Sequence, residues 1–420
     1  MMGVSIAPHV VYWRLMGLGN HSTSKQSRRR PTASRKQRKE VKMAPESVIA
    51  LVQDVFGEGM HAKRVDSLAM AALGVVHAAS LTIHAIGRGL AAAAGLNAKH
   101  ATKQVDRLLS NTALALPSVF GPWVKFVVGE RKEIVVALDW TEFDDDDQST
   151  IALYLVTSHG RATPLVWQAV KKSTLKNKRN GYEDNVIDML SAALEDNVRV
   201  TLLADRGFGD RKRYSFIAEL GWHYVIRFRQ GIKVTNSKGE TRTAKDWLFA
   251  TGRARLLKNA RVTGAGAEVG AVVLVHAKRM KDPWCLATNL PSPVAATIVK
   301  LYGRRFTIEE TFRDTKDIHF GMGLKATHIG KPERRDRLLL LGAIAHALLT
   351  LLGAAGERAG LDRLLKTNTS AHRTLSLYRQ GCFWYDALPN MPDERYDLLV
   401  AAFDNILAEQ KFFRGVFGKI

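Results

Sequence analysis

The segment KEIVVALDW, residues 132–140, constrains the fold more than any other part of this sequence. Asp139 follows five consecutive apolar residues, several of them β-branched, and this pattern is typical of a buried strand. Two further strand-like segments, residues 149–160 and 162–172, meet at a turn around Gly160. We therefore predict a three-stranded meander in which Asp139 lies at the end of an inner strand.

The segments that follow alternate between helix and strand patterns. Residues 181–197 and 211–221 have the spacing of amphipathic helices, whereas residues 198–208 and 223–229 are strand-like. The first of these two strands ends its apolar run at Asp205. Three strands followed by helix, strand, helix and strand is the order of an RNase H-like fold, an α/β class in which a mixed sheet is flanked by helices.

Composition shifts divide the chain into six predicted regions. Residues 230–290 are polar with strand-like patterns, which predicts a β-rich insertion into the core, and one helix is predicted over residues 294–318. The predicted order is a basic disordered leader (1–44), a helical domain (45–120), the first part of the RNase H-like core (121–229), the β-rich insertion (230–290), the last core helix (291–330) and a helical C-terminal region (331–420).

The charge of the chain favours a polyanionic partner. The 62 Lys and Arg residues exceed the 40 Asp and Glu residues, which gives a formal net charge of +22 and a pI near 10.0. Nucleic acid is the commonest partner of such a surface, although anionic membranes and heparin-like chains attract it too. The two cysteines exclude a disulfide framework and suit a reducing compartment, which predicts a cytoplasmic protein.

Three regions leave alternatives open. Residues 21–42 contain nine basic residues and one acidic residue, so they are either a phosphate-binding arm or a solvated tail. The Ala-rich region 45–120 is either a DNA-binding domain or a plain helical cap. The apolar run 338–356 is long enough to span a membrane, but its Ala, Gly and His content favours a buried core helix and no membrane contact.

Asp139 and Asp205 both follow apolar strand segments. A carboxylate at the end of a buried strand is costly without a partner, and two neighbouring carboxylates repel each other. A divalent cation such as Mg²⁺ or Mn²⁺ would turn that repulsion into attraction. The alternative is that each aspartate caps local backbone N–H groups. The four aspartates of residues 144–147 are interpreted as a solvated turn instead of a metal site.

The segment YGRRFTIEETFRDTK, residues 302–316, mixes charges of both signs at a regular spacing. On a continuous helix, the side chains at positions 302, 305, 309 and 316 share an arc of roughly 60°, because each residue advances by about 100°. An adjacent arc carries Leu301, Ile308 and Phe312, which we predict to be the buried stripe. A solvated helix with spaced ion pairs is the alternative, but it requires no strict spacing.

The spacing Tyr302-x2-Arg305-x3-Glu309-x6-Lys316 resembles the YREK signature of the insertion-sequence-four family of bacterial DDE transposases. ALDWT around Asp139 and ADRGF around Asp205 are similar to the first and second catalytic aspartate motifs of that family. The resemblance covers roughly residues 132–325. The 104 residues between the second aspartate and the glutamate match a family in which a β-rich insertion interrupts the fold.

This resemblance implies cut-and-paste DNA transposition by a metal-dependent phosphodiester cleavage and strand transfer. It implies that Asp139, Asp205 and Glu309 are catalytic and hold two Mg²⁺ ions, for which Mn²⁺ can substitute. The implied partners are double-stranded DNA, as terminal inverted repeats and as target, and a second copy of the chain in a synaptic homodimer. In this family the freed 3′-hydroxyl often attacks the opposite strand, which gives a hairpin intermediate.

The resemblance also implies DNA-binding roles for four side chains. Arg305 and Lys316 would bind phosphates, Tyr302 would lie beside the phosphate of a distorted strand, and Trp284 would stack on a flipped base. The alternative for Trp284 is an aromatic side chain of the core at a strand end. For the whole chain, the alternatives are another RNase H-like nuclease and a non-catalytic DNA-binding relic.

Overall fold

The computed structural model describes residues 43, 45–319 and 321–408 of the 420-residue chain. The predicted basic leader therefore lies outside the described residues, apart from Met43. The described residues form helical N- and C-terminal regions around a mixed sheet, which confirms the predicted RNase H-like α/β class.

The N-terminal region consists of helices α1 to α5; it is helical as predicted, but α5 extends past the predicted boundary at residue 120. Asn97 caps α4 by accepting bonds from two backbone N–H groups of its first turn. Trp123 of α5 is buried, and its indole N–H donates to the carbonyl of Pro164 at 2.8 Å, so α5 is fixed to the sheet. The five helices are α1 (Pro45–Phe56), α2 (Ala62–Ala78), α3 (Ile83–Ala94), α4 (Ala98–Ser110) and α5 (Leu116–Val128).

The core begins with a three-stranded antiparallel meander. Its first strand also pairs in parallel with β4, and β4 pairs in parallel with β5, so the sheet is mixed. Nearly every residue of β2 is buried, as expected for a central strand covered on both faces. The elements are β1 (Glu133–Phe143), β2 (Gln148–Leu155), β3 (Thr163–Lys171), α6 (Arg179–Ala193), β4 (Arg199–Ala204), α7 (Arg211–Glu219) and β5 (His223–Phe228).

The strands of the predicted insertion extend the same sheet. The last of them, β10, pairs antiparallel with β5, with Ala287 opposite Ile226. The ten described strands therefore form one sheet in the order β3-β2-β1-β4-β5-β10-β9-β8-β6-β7. The added strands are β6 (Lys233–Thr235), β7 (Thr241–Thr243), β8 (Arg255–Val262), β9 (Ala267–Val275) and β10 (Trp284–Thr288).

The prediction of a single helix over residues 294–318 is wrong. The segment forms α8 (Ala295–Gly303), a 3-10 turn over Arg304–Phe306, and α9 (Thr307–Lys316). Gly303 has low helix propensity and precedes the turn, and short 3-10 turns are common where one helix gives way to another. The helical arc calculated for residues 302–316 therefore does not hold across the break. Tyr302 is fully buried, whereas Phe312 of the predicted stripe is only partly buried.

The C-terminal region packs against the core through one long helix, α10 (Pro332–Arg358), followed by α11 (Leu377–Ala387) and α12 (Asp393–Ala408). By length and composition α10 could cross a membrane, but 94% of its most apolar window is buried inside the protein. This burial favours the core-helix interpretation. At the α10–α11 contact, a Cβ on Gly381 would lie 1.7 Å from the carbonyl oxygen of Leu349, so only glycine allows this approach.

Arg335 of α10 anchors the C-terminal region to the β1–β2 hairpin. Its guanidinium is fully buried, pairs with Asp146, and donates from Nε to the side chain of Gln148 at 2.8 Å. It also lies 3.9 Å from the centroid of the Phe143 ring. The interpretation of residues 144–147 as a solvated turn is therefore wrong for Asp146, because its side chain is the buried partner of an arginine.

Arg335→Ala should lower the free energy of unfolding by about 3–5 kcal/mol, because the buried Asp146 carboxylate then keeps only a contact with the exposed ring of His328. The matched control is Arg334→Ala, one residue earlier, whose partner Asp106 is exposed and whose loss should cost less than about 1 kcal/mol. Chemical denaturation of both variants measures the difference. Equal losses would contradict the anchoring role of Arg335.

Two histidines lie in the interior between the core and the C-terminal helices. His159 and His346 are both buried, and none of their four ring nitrogens has a hydrogen-bond partner in the described part of the chain. The ring of His346 stacks on that of Tyr378 with centroids 4.4 Å apart. Burial, with a smaller contribution from nearby positive charge such as Arg161 beside His346, lowers the pKa of each histidine to about 3.

His346→Leu should weaken the pH dependence of stability on the acid side. In the folded protein the His346 ring stays neutral, whereas in the unfolded chain it takes up a proton below its ordinary pKa of 6.5. The contribution of the neutral ring to the free energy of unfolding is therefore fully present above pH 6.5 and is lost as the pH falls towards about 3. The plot of the free energy of unfolding against pH should become less steep in the variant, by up to about 1.4 kcal/mol per pH unit. Urea unfolding across this range measures it, with His100→Leu on the surface of α4 as the control. An unchanged slope in His346→Leu would disprove the assignment.

Candidate active site

The register of two parallel strands brings Asp139 and Asp205 together. Leu138 of β1 is paired with Ala204 of β4; Asp139 is the next residue of β1, and Asp205 is the first residue after β4. Adjacent strands lie about 4.8 Å apart, so the two aspartates start from neighbouring backbone positions at the same edge of the sheet. Asp139 does not end its strand as predicted, because β1 continues through Phe143 while paired with β2. It is the pairing with β4 that ends beside Asp139.

Arg305 joins Asp139 to Glu309. Its Nη1 lies 2.9 Å from Oδ2 of Asp139, and its Nη2 lies 2.6 Å from Oε1 of Glu309. The arginine side chain is only 4% exposed, whereas the glutamate side chain is 50% exposed. The 3-10 turn that carries Arg305 and the first turn of α9 that carries Glu309 thus both face the edge of β1. We refer to these two ion pairs as the Arg305 bridge.

Tyr302 and Arg227 contact the second aspartate. The hydroxyl of Tyr302 donates to Oδ1 of Asp205 at 3.2 Å, and Nη1 of Arg227 lies 3.6 Å from the same oxygen. Burial raises the pKa of Tyr302, so its hydroxyl stays protonated and can donate this bond. Each of the three acidic side chains therefore has a cationic or hydrogen-bonding partner from the segment 302–309 or from β5.

The surroundings of Asp139 disfavour its charged form. Burial raises the pKa of this carboxyl, and the nearby charge of Glu309 raises it further. Arg305 and the backbone N–H of Trp140, 2.9 Å from Oδ1, act in the opposite direction but do not fully compensate. Carboxyl groups with a shifted pKa cluster at functional sites, where the shift suits the group to binding or catalysis.

The side chains match a hard cation in chemistry, but their positions are not those of an ion site. Carboxylate oxygens are the ligands that Mg²⁺ and Mn²⁺ prefer. Among the described residues, however, no three Asp, Glu, His or Cys side chains lie together as ligands of one metal ion. The guanidinium of Arg305 lies between two of the predicted ligands and supplies the positive charge that they require.

Lys316, the last residue of α9, contacts β1 beyond the carboxylates. Its Nζ donates to Oγ1 of Thr141 at 3.0 Å and to the carbonyl of Glu142 at 2.8 Å. Positions 139, 141 and 143 point to the same face of the strand, so Lys316 lies on the face that carries Asp139, about 7 Å farther along. Burial lowers the pKa of this ammonium group. The structure therefore groups Lys316 with the end of β1 and not with the Arg305 bridge.

Trp284 belongs to a cluster of aromatic rings beside the acidic residues. Its ring meets that of Tyr302 edge to face at 4.9 Å and that of Phe306 at 5.9 Å. Trp284 is partly buried, and Phe306 is 40% exposed. The sequence analysis missed Phe306, although an aromatic residue next to Arg305 in a charged segment was a signal that it could face a ligand.

A buried carboxylate holds α9 in place, and the sequence analysis missed it as well. Asp314 is 1% exposed and accepts bonds from Arg161, in the loop after β2, and from Arg379 of α11. On the same helix the hydroxyl of Thr311 bonds to both the backbone N–H and the carbonyl of Ala162. These contacts fix the helix that carries Glu309 to the sheet on one side and to the C-terminal region on the other.

The mixed sheet and its flanking helices agree with the comparison with known protein families. A family model for the transposase DDE domain matches residues 131–348, which is more than half of the chain and includes Asp139, Asp205 and Glu309. The chain therefore belongs to the transposase DDE domain family. No curated protein matches the sequence.

Asp314→Ala should lower the free energy of unfolding by about 3–5 kcal/mol, because the mostly buried Arg161 and the partly exposed Arg379 lose their shared buried partner. Glu310→Ala on the same helix is the control, since Glu310 is 40% exposed and its loss should cost less than about 1 kcal/mol. Chemical denaturation measures both. If the two variants lose the same stability, Asp314 does not anchor α9.

Proposed function

We propose that this protein is a cut-and-paste transposase of the insertion-sequence-four type, which cleaves the ends of a mobile DNA element and joins them to target DNA. The main support is the grouping of three acidic side chains. The β1–β4 register places Asp139 beside Asp205, and the Arg305 bridge links Asp139 to Glu309. The family membership and the net charge of +22 support it.

Asp139, Asp205 and Glu309 would hold two Mg²⁺ ions, or Mn²⁺ in their place, and bound ions would activate a water or 3′-hydroxyl nucleophile and stabilise the leaving oxygen at phosphorus. The protein positions these ligands. The strand register fixes the two aspartates, and the hydroxyl of Tyr302 orients the carboxylate of Asp205. We assign phosphate binding to Arg305, whose guanidinium can donate two parallel bonds to one phosphate, and to Lys316 as a point charge.

The aromatic cluster next to these residues suits an unpaired base. Trp284 and Phe306 lie beside the carboxylates with partly accessible rings, and their planes are inclined by 30°. Unpairing a base costs a few kcal/mol, and stacking on an aromatic ring returns about 1–3 kcal/mol. We propose that Trp284 supplies this platform and that Phe306 extends it.

The helical region 45–120 is proposed to bind the ends of the element. Helix α4 exposes basic side chains, and a groove of about 430 Å³ runs between α2 and α4. Such a groove suits the phosphate backbone of double-stranded DNA, which dominates the affinity of sequence-tolerant contacts. Synapsis of two ends by a homodimer belongs to the same proposal. The groove is lined by His61, Lys63, Arg64, Ser67, Gln104, Arg107, Leu108 and Asn111.

Substituting Asp139, Asp205 or Glu309 by Ala should lower the rate of DNA end cleavage on the order of a thousandfold or more, since each variant removes a ligand of the reacting centre. The measurement is Mg²⁺-dependent cleavage of a plasmid that carries the DNA flanking the reading frame. DNA binding in EDTA should remain close to that of the unsubstituted protein.

Glu310→Ala is the matched control for this experiment, because Glu310 neighbours Glu309 but pairs with Arg313 and Arg161 instead of Arg305. It should retain cleavage. A protein that binds this DNA but never cuts it with any divalent metal would instead be a non-catalytic DNA-binding protein. Equal loss in Glu309→Ala and Glu310→Ala would remove Glu309 from the proposed ligands.

A further inference from the structure

Arg305 occupies the position where a bound cation would be needed. Its guanidinium is buried and contacts the predicted ligands Asp139 and Glu309 at 2.9 and 2.6 Å. Its charge also acts on Asp205 and on the ring of Tyr302, whose centroid lies 6.0 Å from Cζ. One arginine therefore neutralises part of the negative charge of all three carboxylates at once.

This arrangement competes with ion binding. A carboxylate oxygen that accepts a short bond from a guanidinium has one lone pair fewer for a cation, and the bond holds the carboxylate turned towards the arginine. A divalent ion near the three carboxylates would also be repelled by the arginine, since two like charges about 4 Å apart repel by several kcal/mol in a partly buried site. The ligands can close on an ion only if Arg305 gives up at least one of its two partners.

The surroundings of Arg305 provide an alternative partner. Nε of Arg305 has no hydrogen-bond partner among the described residues, so the existing bonds do not use the full donor set. Glu309, the more exposed of the two acidic partners, lies on the solvent side of the bridge. A phosphate of DNA entering there presents two oxygens in the geometry that a guanidinium prefers, and Phe306, 5.2 Å from Cζ, offers a surface along which the side chain can turn.

We infer that the Arg305 bridge closes the ion site in the DNA-free protein and that a DNA phosphate opens it by taking the guanidinium away from the carboxylates. The inference rests on the proposed function, because it assigns Asp139 and Glu309 as ion ligands. It adds that the free protein binds divalent ions weakly and that ion binding and DNA binding are coupled through one side chain.

Coupling of this kind is reciprocal. If DNA raises the affinity for the ion by some factor, the ion raises the affinity for DNA by the same factor. The chemical consequence is that ions assemble at the carboxylates mainly when a phosphate is present, which restricts cleavage to bound DNA. A permanent structural ion pair at Arg305 predicts the opposite result, namely ion affinity that does not respond to DNA.

The test is a titration with Mn²⁺, followed by electron paramagnetic resonance, of the full-length protein with and without a random-sequence double-stranded oligonucleotide. DNA should raise the Mn²⁺ affinity of the unsubstituted protein by about tenfold, within the usual range for coupled sites. Arg305→Ala should bind Mn²⁺ about tenfold more tightly without DNA, and DNA should then have little further effect.

Two further variants distinguish the effect of breaking the Arg305 bridge from the effect of removing any nearby positive charge and from the effect of misfolding. Arg227→Ala removes a positive charge 3.6 Å from Asp205 without breaking the bridge, so it should tighten Mn²⁺ binding less and keep the response to DNA. Arg305→Lys keeps the charge but cannot donate to both carboxylates as a fork, so it should give an intermediate affinity even if the alanine variant does not fold.

The outcomes distinguish this inference from the proposed function. One outcome is Mn²⁺ binding that depends on Asp139 but has the same affinity in Arg305→Ala, Arg305→Lys and the unsubstituted protein. It would overturn the inference about the Arg305 bridge and leave the proposed function standing. An equal response to DNA in Arg305→Lys and the unsubstituted protein would overturn it too. Mn²⁺ binding that is insensitive to Asp139→Ala in every sample would overturn both.

Discussion

The parallel pairing of β1 with β4 is the constraint on which the site depends. It places Leu138 opposite Ala204 and therefore brings the next two residues, both aspartates, to one edge of the sheet. A shift of one residue in either strand would turn one aspartate to the other face, because side chains alternate along a strand. The apolar runs that precede Asp139 and Asp205 bury both strands, and burial is what fixes the register.

The third acidic side chain depends on contacts far from the sheet edge. Helix α9 is short and follows a 3-10 turn, so its own hydrogen bonds do not fix its direction. Its position is set by the buried Asp314, which bonds to one arginine of the core and one of α11. The C-terminal helices thus support the site, and Arg335 ties the same region to the end of the β1–β2 hairpin.

The electrostatics of the site are balanced by arginines. Burial makes the charged form of Asp139 costly and therefore raises the pKa of this carboxyl, and Arg305 offsets part of the cost. Arg227 lies beside Asp205 in a comparable way. These ion pairs lower the cost of grouping acidic side chains at the edge of a buried sheet, because a paired charge is far less costly there than an unpaired one.

The sequence by itself determined the class of fold and the order of the core elements from β1 to β5, because apolar strand runs and their breaks are local patterns. Only the tertiary structure decided the break in the helix at Arg304–Phe306, the burial of Tyr302, the contact of Lys316 with β1 and the Arg305 bridge. It also joined the insertion to the core sheet through β10. Apart from the helix break, which follows Gly303, these features depend on contacts between residues far apart in the chain, and the helical periodicity of one segment carries no information about them.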